Sequence, residues 1–175
     1  MIKLGSVSEI VSGFNVARLP INERDRRYTN ADFEYDFHRM KLADPSNSII
    51  YRQASGASHR SATILSDENK DKFISQVFSI MNVNRERLNP WYLCWLLNES
   101  RNLEKQINIL LQGTVITRLS AQQLKQIKIE LPPLDEQETI GKLYATALYQ
   151  YYLETNHAKQ KLNGILSVLK KANVK

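Results

Sequence analysis

Apolar and polar positions alternate differently along successive stretches of the chain, and each pattern predicts an element. Leu4, Val7, Ile10 and Val11 recur at helical or short-strand spacing and stop at Ser12-Gly13, a turn signal. A polar stretch follows from Arg18 to Lys41, with Tyr28, Phe33, Tyr35 and Phe37 threaded through it. Phe33, Tyr35 and Phe37 alternate with acids, which predicts a half-buried strand. Asp44-Pro45-Ser46-Asn47 predicts a turn. Strands are expected over Ser48–Arg52, near Ala62–Leu65 and from Phe73 to Met81, with a Gly/Ser-rich loop, Ala54 to Arg60, between the first two.

At Asn89-Pro90 the pattern turns helical. Asn89 can cap, and Pro90 suits a first turn where its missing N–H is not needed. Trp91, Leu93, Trp95, Leu96 and Leu97 make this helix apolar on most sides, so it should be deeply buried. A second helix is expected from about Ser100 to Leu111. Ser120-Ala121-Gln122-Gln123 has the form of a capping box before a short helix. Ile127 and Ile129 alternate with Lys128 and Glu130 as a last strand, halted at Pro132-Pro133.

Beyond the prolines, Asp135 and Glu138 form a second expected capping box, and a helix should run to about Leu169. Tyr144, Leu148, Tyr151, Thr155, Ala158, Leu162, Ile165 and Leu169 step by four and three alternately, the spacing of a coiled-coil seam. A helix of this length with one apolar stripe needs a partner, on this chain or another. The expected architecture is α+β: a mixed domain over 1–133, then a long helix over 134–175.

Composition narrows the function. Net charge is +6 and the pI is near 9.4, which favours polyanionic partners. Segments 1–60, 61–130 and 131–175 each carry +2, so any basic face must be gathered by folding. One cysteine, Cys94, excludes an internal disulfide and fits a reducing cytoplasm and a core position. The start of the chain lacks the apolar core of a secretory signal, and no stretch approaches the ~18 apolar residues of a membrane span. Catalytic patterns are missing. The glycines stand singly, and His38, His59, His157 and Cys94 have no metal-ligand spacing. Ser58-His59 with Ser61 lacks a nucleophile elbow, and Asp67, Glu68 and Asp71 around Lys70 suit a solvated turn better than a metal-dependent nuclease centre.

Four motifs, in order over nearly the whole chain, resemble the Type I restriction specificity-subunit family. They are Leu4-Gly5 with Ser12-Gly13; Leu88-Asn89-Pro90-Trp91-Tyr92-Leu93 with Leu96-Leu97-Asn98; Gln112-Gly113-Thr114 with Arg118-Leu119-Ser120; and Leu131-Pro132-Pro133-Leu134-Asp135-Glu136-Gln137 with Ile140 and Leu143. Such subunits usually carry two target-recognition domains and two long helices, so the resemblance is to one half. Tyr144, Tyr151 and Tyr152 depart from the aliphatic and charged residues more usual in that helix. The resemblance implies a non-catalytic DNA-binding chain, with no cofactor of its own, acting as a homodimer on a bipartite site. Its long helix would form an antiparallel coiled coil with a partner. S-adenosylmethionine, ATP and magnesium would belong to separate methyltransferase and motor-nuclease subunits. A different reading keeps the helix but not the DNA: an interaction protein that caps or regulates methyltransferase subunits.

Arginine suits guanine edges, asparagine and glutamine suit adenine, and either cation holds phosphate. The expected contacts are Arg52, Gln53, Ser55, Ser58, His59 and Arg60, which have no acid between them, although a solvated hairpin would read the same way. Arg24, Arg26 and Arg27 lie among Glu23 and Asp25 and serve surface ion pairs as readily as DNA. Arg118, near Thr114 and Thr117, fits a phosphate contact or a structural role. The loop aromatics could stack on an extruded base but suit a core better. Tyr144, Leu148, Tyr151, Leu162, Ile165 and Leu169 are assigned to a helix–helix seam, with docking on their own domain as the competing arrangement.

Overall fold

The structure is a computed structural model describing residues 1–44, 48–53, 61–111 and 118–172. Of the turn expected at Asp44-Pro45-Ser46-Asn47, the last three residues lie outside the described residues. The centre is a four-stranded antiparallel sheet built from β2 (Ser8–Ser12), β3 (Ile49–Arg52), β4 (Ala62–Ile64) and β5 (Phe78–Val83), in the order β2-β5-β3-β4. Ile10 faces Met81 and Ile50 faces both Ile80 and Thr63 across the ladders. A separate short ladder pairs β1 (Ile2–Lys3) with β6 (Lys128–Ile129), tying the chain's opening to the end of the domain. Ile127 and Ile129 are buried while Lys128 is exposed, as their alternation predicts.

The opening apolar run forms neither one helix nor one strand. Leu4–Ser6 is a 3-10 turn between β1 and β2, which buries Leu4, Val7 and Ile10 and leaves Val11 exposed. A larger correction concerns Phe33, Tyr35 and Phe37. They lie on a helix, α1 (Asn30–Arg39), not on a strand. Thr29 and Asp32 form a reciprocal capping box at its start, a signal that outweighs the alternation. Phe33 and Phe37 are four apart and so share the buried face, while Tyr35 points outward. Phe33 stacks on Phe78 of the sheet at 6.1 Å.

β5 also starts later than its pattern suggests. Phe73 makes only a lone bridge to Arg27, and the segment before β5 crosses α1 as a polar strap. Lys72 Nζ meets Asp32 at 2.6 Å, and Asn69 donates to the buried Asp36 at 2.7 Å. Tyr28 donates its hydroxyl to the same Asp36 at 2.8 Å. Burial raises the Asp36 carboxyl above the ordinary carboxylate range. Burial acts the same way on Asp32, but the bonds from Lys72 and Thr29 outweigh it and hold that carboxyl low.

α2 (Pro90–Glu99) begins as expected, with Asn89 accepting the Tyr92 N–H at 3.1 Å. Cys94 is fully buried in it, and burial pushes its thiol well up, so it packs as a small apolar group. Asn98 covers the edge of β4 as a strand would: it accepts from Ser61 N–H and Ala62 N–H at 2.8 Å and donates to the Ala62 carbonyl at 2.9 Å. α3 (Arg101–Leu111) follows, and α4 (Ala121–Gln126) carries the Ser120–Gln123 capping box.

The last helix, α5 (Leu134–Ala172), begins ahead of the expected cap at Asp135. Asp135 and Glu136 occupy its first turn, where acids favour the helix dipole. Gln137 organises the start instead. Its side chain is buried, accepts from Asn89 N–H at 2.9 Å, and donates to the carbonyls of Pro132 (2.8 Å) and Arg87 (3.1 Å). Gln137, Gly141 and Ala145 are the buried positions of α5, a narrow strip that lets the helix lie close to α2. From 157 to 172 every residue is exposed.

Candidate nucleic-acid interface

Antiparallel pairing fixes which segments share an end of the sheet. The end of β2, the end of β3, the start of β4 and the start of β5 lie together. The turns after β2, the run into β5 and the loop between β3 and β4 therefore converge on one end. Backbone hydrogen bonds stitch it, among them Gln53 N–H to Val77 at 3.1 Å, Gln76 N–H to Phe14 at 2.9 Å, and Tyr28 N–H to Phe73 at 2.9 Å.

The expected contact residues take different places there. Arg52 ends β3 with its guanidinium 3.0 Å from Glu34 and over the Phe33 ring at 4.0 Å. Its side chain is only 16% exposed. Gln53 is buried and donates to Ser79 Oγ at 2.9 Å and to the Phe78 carbonyl at 3.3 Å. Ser55, Ser58, His59 and Arg60 lie outside the described residues. Arg24 reaches the carbonyls of Leu19 (3.3 Å) and Ala17 (3.4 Å). Arg26 reaches the Asp71 carbonyl at 3.2 Å and stacks on Phe73 at 5.4 Å. Arg27 is exposed at this same end. Arg118 is exposed two residues before the Ser120 cap of α4, a helix packed on β2 and the Leu4–Ser6 turn, so it stands apart from the others. Among the loop aromatics, Tyr28, Phe33 and Phe37 are buried and unavailable for stacking on a base.

The seam residues of α5 divide in two. Tyr144 and Leu148 pack against the chain's own core, and the Tyr144 hydroxyl lies 3.3 Å from Glu99. Tyr151, Leu162, Ile165 and Leu169 are each more than half exposed, at 52–55%. The division falls at a clamp that residue spacing alone does not reveal. Arg39, at the end of α1, sits between the rings of Tyr35 (3.9 Å) and Tyr152 (4.4 Å) and bonds the Tyr152 hydroxyl. His38 stacks on Tyr152 at 5.5 Å. The excess of tyrosines in the helix was the available sign.

Among the described residues, no group of three or more His, Cys, Asp or Glu side chains could hold a metal ion. Asp67 pairs with Lys70 at 3.7 Å on the surface. No helix among the described residues is long and apolar enough to cross a membrane.

An antiparallel sheet with its loops at one end, and a helix that docks and then continues past the body, is the fold shared with solved restriction-system subunits. The chain is similar to the HsdS subunit from Thermoanaerobacter tengcongensis, with 17% identity and a TM-score of 0.58, over 96% of this chain and 46% of that one. It is similar to a chain from a structure on complex assembly and conformational transition of the type I R-M system, with 18% identity and a TM-score of 0.56, over 98% of this chain and 43% of that one. The chain thus spans less than half the length of either. Sequence supplies the family: the Type I restriction modification DNA specificity domain matches residues 41–165, and the chain belongs to that family. No curated protein matches the chain.

Proposed function

We propose that the chain reads a specific sequence in double-stranded DNA for a Type I restriction–modification system and performs no chemistry itself. Residues 1–133 make the recognition domain, and residues 134–175 pair two copies and dock the methyltransferase and motor-nuclease subunits. S-adenosylmethionine, ATP and magnesium sit on those subunits, in the cytoplasm. The family match over residues 41–165 carries this reading. The exposed part of α5 supports the pairing, because Leu162, Ile165 and Leu169 stand on one helical face with no cover from the described residues. Two copies joined antiparallel there would present two reading ends to a bipartite site.

Sedimentation at micromolar concentration tests the pairing. The full chain should run as a dimer, and truncation after Asn156 should leave a folded monomer. A full chain that runs as a compact monomer would refute the pairing.

One observation favours a second reading, an interaction protein that caps or regulates methyltransferase subunits without touching DNA. Arg52 and Gln53 already have internal partners. Replacing Arg52 and Arg60 by alanine separates the two. A DNA reader should lose about 1–3 kcal/mol of specific binding per lost base contact. A capping protein should assemble with methyltransferase subunits as before and show no DNA effect to lose.

A further inference from the structure

Beside the root of the β3–β4 loop, an open hollow of about 440 Å³ is cut into the reading end of the sheet. Its volume lies in the ordinary range of ligand sites, ~300–1,000 Å³. Tyr28 and Phe78, edge to face at 5.3 Å, lie beneath it. Polar side chains from three separated segments line it: Asn15 after β2, Arg27 and Asn30 on either side of the α1 cap, and Gln76 before β5. No carboxylate is among the lining residues.

Two features set these groups apart from the arginines around them. First, the side chains of Arg27, Asn30 and Gln76 are exposed and make no hydrogen bond or ion pair with the described residues. Arg24, Arg26 and Arg52 all have internal partners. Second, the backbone beneath the free side chains is fixed. Arg27 N–H bonds Arg24, its neighbour Tyr28 bonds Phe73, and Gln76 N–H bonds Phe14. A backbone already fixed removes the loop-ordering part of the cost of binding and leaves only the side chains to be ordered.

We propose that this hollow is a base-reading subsite: Gln76 and Asn30 read base edges in the major groove, with adenine preferred, and Arg27 holds the adjoining phosphate. Amide side chains match the paired acceptor and donor of adenine, whereas a guanidinium suits a phosphate oxygen. The inference rests on the DNA-reading function and adds which residues carry the discrimination. It moves part of the recognition from the Gly/Ser loop to its neighbour.

The test uses the full chain and a pool of random-sequence duplexes, selected in parallel with wild type, Gln76→Ala, Gln76→Glu, Asn30→Ala and Arg27→Ala. Wild type should enrich one sequence. Gln76→Ala and Asn30→Ala should each bind that sequence about 5- to 150-fold more weakly and lose preference at one position. Gln76→Glu should move that position toward cytosine, whose amino group a carboxylate accepts, a gain that misfolding cannot produce. Arg27→Ala should weaken all duplexes alike and lower the slope of log affinity against log salt by about 0.9. If wild type enriches nothing, the DNA-reading function falls and the subsite with it. If wild type enriches a sequence that all four variants select equally well, the function stands and the subsite is wrong.

Discussion

The two halves of α5 have similar apolar content and opposite surroundings. In the first half, Gln137, Gly141 and Ala145 are buried against α2, and Tyr144 and Leu148 lean on the same body. In the second half, Leu162, Ile165, Leu166, Val168 and Leu169 all face solvent. The difference lies in what stands opposite: Gly141 lies against Trp91 and Tyr92 of α2, whereas nothing lies within 4 Å of a Cβ at Gly164. A helix seats closely only where its backbone can approach its neighbour, and Gly141 and Gln137 provide that on one side of the Tyr152 clamp alone. Beyond the clamp there is an apolar face without a seat.

Several substitutions would break or sharpen this contrast. The largest effect is expected from Gly141→Leu. A Cβ there would stand 2.5 Å from the Tyr92 backbone nitrogen and 2.7 Å from Trp91 Cβ, and the backbone cannot yield cheaply. Stability should fall by about 3 kcal/mol, read from the urea midpoint. Next comes Gln137→Ala, which leaves the Asn89 N–H and the Arg87 and Pro132 carbonyls without this partner. A loss of about 2 kcal/mol should appear in the same denaturation. Gly164→Ala should act in the opposite direction, because nothing lies within 4 Å of a Cβ there. The exposed helix should gain up to about 1 kcal/mol, seen as a higher melting midpoint. Tyr152→Leu should have the smallest effect, about 0.5–1 kcal/mol from the lost Arg39 contact. Hydrogen exchange should then rise around residues 149–156 and remain slow at Gly141. Equal stability changes at Gly141 and Gly164 would show that the two halves do not differ as described.

Much of this architecture is legible in the residues, for identifiable reasons. Caps at Asn89 and Ser120 are local, with partners three residues away, so the sequence displays them directly. Strands β3 and β4 are short apolar runs bounded by turn residues. Phe33 and Phe37 mislead because a spacing of four includes a spacing of two, and only the Thr29–Asp32 box separates helix from strand. The site is harder to read. Asn15, Arg27, Asn30 and Gln76 converge only after the run into β5 has crossed α1, and nothing in their spacing records that crossing. The seam shows the same limit: its period marks an apolar face but not whether this chain or another covers it.

The continuity of α5 makes its seat a pivot as well as an anchor. The docked stretch from Gln137 to Tyr152 is about 22 Å long, and the helix runs on about 30 Å past Tyr152 to residue 172, at ~1.5 Å per residue. A tilt of the helix in its seat is therefore magnified at the tip, because the displacement grows with distance from the pivot. Phase is coupled in the same way. One residue inserted after Tyr152 would lengthen the rod by only ~1.5 Å but turn its apolar edge by about 100° relative to the hollow at Gln76. Seven residues would restore that bearing to within about 20° and add ~10 Å of reach, so the rod can change length only in steps that keep its edge in phase.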